Sequence, residues 1–406
     1  MPAPSHRRVG LWLVGAYGGV GTSIAVGLAS LSRGLKPATG LVTELPMFRG
    51  AALPALSEFV VGGHDIRQGS FGESASEFRA GSGVFEPELL AAISDDLAAA
   101  SARVRSGTVR GTGKSITRMA DWNPSDGADT TAQVLDRISA DLEAFVQSES
   151  IDHLIVLNVS STEPPFPAKP EHESWQQLNA ALASDTGELL PASSLYALAA
   201  LRQGHTYINF TPSLGASFPA AHQIAEQTGA LHAGKDGKTG ETLMKTVLAP
   251  MFAHRNLQVM SWVGHNIFGN RDGQILDDPV NKASKVSTKD QVVHQILGYK
   301  PSTLVTIEYI PDMGDWKTAW DHIHFKGFMG TAMTLQFTWQ GCDSLLAAPL
   351  AIDLARLADL EKQRGGRGLM KHLASFFKSP EGVPENDFFR QFTMLEEYVA
   401  SLGTQK

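Results

Sequence analysis

The chain is 406 residues long, 43% apolar and 19% charged, which is enough to bury a large core and excludes a disordered or low-complexity protein. Its 42 acidic and 34 basic side chains leave a formal net charge of -8, so no overall positive field exists to hold nucleic acid or an anionic membrane, and no partner of either kind is expected. The single cysteine, Cys342, excludes an internal disulfide framework and a multi-cysteine metal site, and points to a reducing, cytoplasmic compartment.

From Val9 to Leu31 no residue is charged, with Arg7 and Arg8 before and Arg33 after, so a signal peptide or membrane helix has to be weighed. Gly10, Gly15, Gly18, Gly19, Gly21 and Gly27 argue against both, because they would weaken a continuous apolar helix. The run divides instead into a buried strand, Val9 to Val14, a turn, and a helix from Thr22 to Arg33 that Gly34 ends.

Strands and helices then alternate through residue 234, the pattern of a doubly wound parallel sheet. Gly40 to Glu44 reads as a second strand and Glu58 to Gly63 as another. Thr131 to Gln147 carries Val134, Leu135, Ile138, Leu142 and Phe145 at helical spacing and leads into the apolar strand His153 to Leu157. A helix at Ser194 to Arg202, a strand at Thr206 to Asn209, a helix at Ala220 to Gln227 and a strand at Ala230 to Ala233 complete the series.

After Gly234 the texture changes. Leu257 to Val263, Leu304 to Ile310 and Met333 to Trp339 are rich in β-branched and aromatic residues, and the last alternates cleanly. With helices near Glu241 to Ala249 and Lys289 to Leu297, this is an α+β unit whose second sheet face is free for an oligomer contact. The sequence therefore predicts an α/β protein with three parts: a doubly wound unit at 1–234, an inserted α+β unit at 235–343 with a sheet face open to oligomerisation, and C-terminal helices at 344–406 that pack back on the first part.

Gly15-Ala-Tyr-Gly18-Gly19-Val20-Gly21 lies between the first strand and first helix, where backbone amides and a helix N-terminus bind a pyrophosphate. The spacing departs from G-x-G-x-x-G, and the turn alone is equally consistent with a tight structural bend. Glu44 and Asp65 are both placed to accept from a ribose hydroxyl, and an acid at either position favours NAD over NADP. Lys282, Lys285 and Lys289 fall within eight residues that contain no acid. Thr288 and Gln291 form a capping-box pattern that puts Lys289 in a helix's first turn, against the dipole, and a bound phosphate would remove that conflict. Lys317 follows a predicted strand, and Lys378 stands after Phe376 and Phe377, where partial desolvation would suit it to proton transfer, although taken alone the position reads more readily as a lysine snorkelling at a helix end. His322 and His324 have metal-ligand spacing but no evident third ligand.

Five segments together resemble the inositol-3-phosphate synthase family: Ala233 to Gly240, Asn266 to Gly273, Ser284 to Lys289, Gly314 to Lys317 and Asp343 to Pro349. The resemblance implies a Rossmann-like NAD-binding fold and conversion of glucose 6-phosphate to an inositol phosphate by an NAD that is reduced and then reoxidised. It also implies a homotetramer formed through the sheet of the catalytic domain. Carried over by position, it makes Lys285, Lys289, Lys317, Lys378, Asp236 and Asp272 the catalytic set. Asn266, Asn270 and the same four lysines face the sugar phosphate. NAD is held by Gly15, Gly18, Gly19, Val20, Gly21, Asp65, Ser160, Ser161, Thr162, Thr211, Asp236, Thr239, Asn270, Asp272, Asp315, Asp343 and Ser344. The sequence departs from the family at Tyr17, Gly19 and Val20 and lacks its glycine at Phe210-Thr211. The sequence leaves open whether a divalent or monovalent cation assists. Two other readings carry the same residues: an NAD-dependent carbocyclase or dehydrogenase for another sugar phosphate, and a catalytically inactive NAD-binding scaffold.

Overall fold

The computed structural model describes residues 7–122, 129–276 and 292–403. Seven parallel strands form the larger sheet: β1 (Val9–Val14), β2 (Phe59–Asp65), β3 (Val104–Ser106), β4 (His153–Asn158), β5 (Thr206–Asn209), β6 (Leu231–Gly234) and β11 (Gly368–Leu369). Their order is β11-β6-β5-β4-β1-β2-β3, so the chain reverses direction across the sheet between β1 and β4. A crevice opens beyond the C-terminal ends of those two strands, the position at which doubly wound folds bind ligands.

β1 shows why the sheet is covered on both faces. Leu11 and Leu13 enter one core, with Ile24 of the helix Gly19–Ser32 and Ile352 and Leu354 of the helix Asp343–Gln363. Trp12 and Val14 enter the other, with Leu142 of the helix Thr131–Glu149 and Leu195 of the helix Ala192–Arg202. All six residues of β1 are buried, so a strand in this place must be apolar at every position rather than at alternate ones.

A four-stranded sheet, ordered β10-β9-β7-β8, follows: β7 (Gln258–Phe268), β8 (Ser302–Tyr309), β9 (Trp316–Lys326) and β10 (Ala332–Cys342). The helix Gly240–His254 covers one face, packing Phe252 against Trp262, Ile323 and Phe325. The opposite face is open: Leu304 is 50% exposed and Trp320 39%, and the Trp320 ring stacks on His265.

Two expectations are corrected. Gly40 to Glu44 is not a strand; Val42–Glu44 is a short 3-10 turn, because Asp353 accepts hydrogen bonds from the backbone amides of Val42 and Thr43 and from the Thr43 hydroxyl. The place beside β1 belongs to Phe59–Asp65. Lys317 follows β8, as expected, but also lies near the start of β9, a strand the sequence did not mark, with His322 and His324 farther along it. The C-terminal part is not purely helical, since Gly368–Leu369 pairs with β6 and supplies the edge of the large sheet. The predicted helix at Lys289 begins outside the described residues, and residues 292–297 are helical.

Candidate active site

At the crevice Gly15 turns the chain at φ 86°, a left-handed conformation, and a Cβ added there would stand 2.7 Å from Ser160 Cα. The loops after β1 and β4 are thus locked together without a side chain between them. No side chain caps the helix that begins at Gly19, and Gly18 and Gly19 leave its first amides uncovered toward the cavity. Gly21 does not line the cavity: its Cβ would lie 2.4 Å from the Ala16 carbonyl oxygen, so glycine there serves the turn itself.

Asp65 ends β2 and is 4% exposed. One carboxylate oxygen accepts from the Tyr17 amide at 2.7 Å and the other from the Arg67 amide at 2.9 Å, while Arg67 Nη2 donates to the Tyr17 carbonyl at 2.6 Å. Burial raises its pKa against the pull of Arg67 and these amides. Each oxygen retains a lone pair for a further donor. Glu44, the alternative acid, lies elsewhere, paired with Arg356 at 2.6 Å.

One cavity gathers Gly15, Gly18, Gly19, Val20, Asp65, Ser160, Ser161, Thr162, Thr211, Asp236, Thr239, Asn270, Asp272, Asp315, Asp343, Ser344, Lys317 and Lys378. Lys378 Nζ donates to Asp236 Oδ1 at 2.8 Å, and the Lys378 amide donates to the Asp236 carbonyl at 2.6 Å, so the two are fixed by backbone as well as by charge. Lys317 Nζ is 3.6 Å from Asp343 Oδ1 and 4.9 Å from the centre of the Phe268 ring. Asp315 organises this side. Asn270 Nδ2 and Ser344 Oγ donate to its Oδ1, and the Ser344 amide and Cys342 thiol donate to its Oδ2. Thr162 Oγ1 lies 3.3 Å from Asp272 Oδ1.

Asn266 does not line the cavity; it is buried in β7 and donates to the Thr306 carbonyl on β8. Lys285 and Lys289 lie outside the described residues. Sequence reasoning missed Arg67, Glu163, Ser193 and Tyr196, which line the cavity, and Lys238 just behind it. Glu163 directly follows the Ser160-Ser161-Thr162 loop, which was the available signal. It accepts from the Ser193 amide and hydroxyl, and burial pushes its carboxyl up to about 7. Lys238 donates to Gln391, and burial, with Lys378 nearby, brings its ammonium down to about 7.

The residues present fit a dinucleotide: bare glycine amides at a helix start for the pyrophosphate, a buried acid at the end of β2 for a ribose, and polar side chains beyond the end of β4 for the nicotinamide side.

A family model described as myo-inositol-1-phosphate synthase matches residues 9–400. The inositol-3-phosphate synthase 1 of Bacteroides thetaiotaomicron is 32% identical over 99% of this chain and 97% of its own length. The rat inositol-3-phosphate synthase 1 is 31% identical over 66% of this chain, and the match spans 52% of its own, longer chain. The crystal structure of the Caenorhabditis elegans inositol-3-phosphate synthase superposes with a TM-score of 0.86 at 25% identity, covering 98% of this chain and 86% of that one. The chain belongs to the myo-inositol-1-phosphate synthase family of NAD-binding isomerases.

Proposed function

We propose that the chain converts D-glucose 6-phosphate to 1D-myo-inositol 3-phosphate by oxidation at carbon 5, enolisation, intramolecular aldol closure and reduction. The observation that carries this reading is the meeting of Lys378–Asp236 and Lys317–Asp343 with the Gly15–Gly19 turn in one cavity. When bound, NAD supplies the temporary oxidation of carbon 5. A ketone at carbon 5 acidifies the hydrogens on carbon 6, and the enolate formed attacks the aldehyde at carbon 1. Each of these stages places negative charge on an oxygen, and fixed ammonium groups stabilise that charge without reorganising.

Lys378, oriented by Asp236, is assigned to the carbon 1 oxygen, where charge develops during ring closure. Lys285 is assigned to the carbon 5 oxygen and Lys289 to the phosphate, on sequence grounds. Lys317 completes the cationic set, with Asn270 and Asp315 fixing the wall beside it. Gly15, Gly18, Gly19, Val20, Asp65, Ser160, Ser161, Thr162, Thr211 and Thr239 hold the cofactor. The working division is nucleotide-binding at 1–234, catalysis and assembly at 235–343, and return helices from 344. The open face of the second sheet forms a homotetramer, and the enzyme acts in the cytoplasm; no described helix is long and apolar enough to cross a membrane.

Incubation with glucose 6-phosphate and a catalytic amount of NAD tests the reading, with the product identified by phosphorus NMR. An inositol phosphate with no net NADH is expected. Stoichiometric NADH would establish a dehydrogenase acting on the sugar phosphate instead.

A further inference from the structure

Behind the segment 234–236, and outside the cavity, three side chains from separate parts of the chain converge. His222 comes from the helix Pro219–Thr228, His232 from β6, and Glu381 from the loop that follows Lys378. Glu381 Oε2 is 3.4 Å from His222 Nε2 and 3.7 Å from His232 Nδ1, and the three atoms all lie within 4.8 Å of one another. The two imidazoles stack with centroids 4.8 Å apart. Ser217 donates to Glu381 Oε1 at 2.7 Å, which leaves Oε2 to face both rings.

The arrangement is incomplete as a set of hydrogen bonds. His232 is 1% exposed, and its Nδ1 has no hydrogen-bond partner among the described residues. If that nitrogen carries a proton, 3.7 Å is too long to donate it to Oε2; if it does not, a lone pair points at a carboxylate. A cation between the three atoms resolves both cases. Zinc bound tetrahedrally at about 2.0–2.1 Å has ligand-to-ligand edges of roughly 3.3–3.4 Å, close to the two edges that meet at Glu381, and the His222–His232 edge, within 4.8 Å, shortens as the half-exposed His222 swings onto the ion.

We propose that His222, His232 and Glu381 form a divalent-cation site of the zinc class, separate from the substrate cavity, with Ser217 holding the carboxylate in orientation. His222, whose side chain is 44% exposed, gives the ion its entry path and leaves room for a water as fourth ligand. Gly234 is part of the design, since a Cβ there would stand 2.7 Å from Glu381 Oε1. The site's role is positional. The Glu381 amide donates to the Gly234 carbonyl, Ser379 and Lys235 exchange backbone hydrogen bonds, and the Lys378 amide donates to Asp236. An ion joining His232 to Glu381 therefore clamps the two segments that carry Lys378 and Asp236.

The test uses the full, untagged chain, stripped with chelator and titrated with Zn2+ and, for spectroscopy, Co2+. One Zn2+ per chain, retained on desalting, is expected, with the intense visible bands of four-coordinate Co2+ and a thermal midpoint raised by Zn2+. His222→Ala, on a half-exposed helix position, should weaken Zn2+ binding at least tenfold and abolish the midpoint shift. Asp343→Ala, in the cavity, should leave metal binding unchanged. Failure of the wild-type chain to retain Zn2+ would overturn the proposal, and so would unchanged Zn2+ affinity in His222→Ala or loss of the ion in Asp343→Ala.

Discussion

Glu163 gives the site a definite pH signature. Its folded pKa of about 7 stands above the ordinary value of 4.5, so between those limits the folded chain holds a proton that the unfolded chain releases. Stability from this group is therefore lost as pH rises from about 4.5 to about 7 and is constant above, a difference of about 3 kcal/mol at ~1.36 kcal/mol per pKa unit. Glu163→Gln keeps the acceptor for the Ser193 amide without the charge. Chemical denaturation across that range should show a flatter pH profile for the variant and greater stability than wild type at pH 8. A second residue-scale prediction separates the lysines. In a single turnover Lys285→Ala should show no transient NADH absorbance, whereas Lys378→Ala should show it yet release no cyclised product. Steady-state rates should fall roughly a hundredfold to a thousandfold in each. Identical blocks in both variants would refute the division of roles. Asp65, Lys317 and Lys378 were legible because each stands in a recognisable run. Arg67 and Glu163 were not, because a lone charged residue just past a motif carries no spacing that marks whether the fold turns it inward.

Among the elements, the glycine turn is the one whose geometry allows a controlled comparison. Gly15 and Gly34 both have positive φ, 86° and 66°, but a Cβ at Gly34 would meet nothing within 4 Å. Gly34→Ala should cost only the backbone strain, about 1 kcal/mol, and leave NAD affinity unchanged. Gly15→Ala carries strain of about 1–3 kcal/mol and also drives Ser160 away, so calorimetric NAD binding should weaken more than tenfold. Equal NAD affinity in the two variants would show that the turn does not touch the cofactor. The strands β1 and β4 could be read directly because burial on both faces demands a long apolar run, whereas β5 and β6, which bury Thr206, Asn209 and His232, were marked by the helices that flank them. β9 could not: Asp321 sits on its covered face, accepting from Trp262 Nε1 at 2.7 Å, while Trp320 lies on its open face, so alternation is scrambled by one satisfied buried acid. Gly40 to Glu44 misled for the converse reason, since Asp353, more than three hundred residues away, takes the amides that a strand would pair. β11 is two residues long and offers no pattern at all.

For the whole molecule, the open sheet face and the returning helix make separate predictions. Leu304→Lys combined with Trp320→Lys places charge on the exposed face and, on the proposal that this face builds a tetramer, should shift the light-scattering mass to a smaller species with the far-UV spectrum intact. An unchanged mass would rule out that face as the assembly surface. In the helix Asp343–Gln363, the buried Asp359 accepts from Arg7, from His153 at 2.8 Å and from Gln363. Asp359→Ala strands those donors and should cost about 3–5 kcal/mol in thermal or chemical unfolding. A loss below 1 kcal/mol would show that the helix is held by its apolar side chains alone. The same helix sets a constraint on synthesis. Six of the seven strands of the large sheet are made by residue 234, but the helix that seals Leu11, Leu13, Ile155 and Leu157 is complete only at residue 363. At about 5–20 residues per second the ribosome needs on the order of ten seconds to supply it. Throughout that interval the helix Gly19–Ser32 covers only part of that apolar sheet face and the β6 edge is free, so chains stalled before residue 343 should be strong chaperone clients and chains stalled beyond residue 370 and clear of the exit tunnel should not.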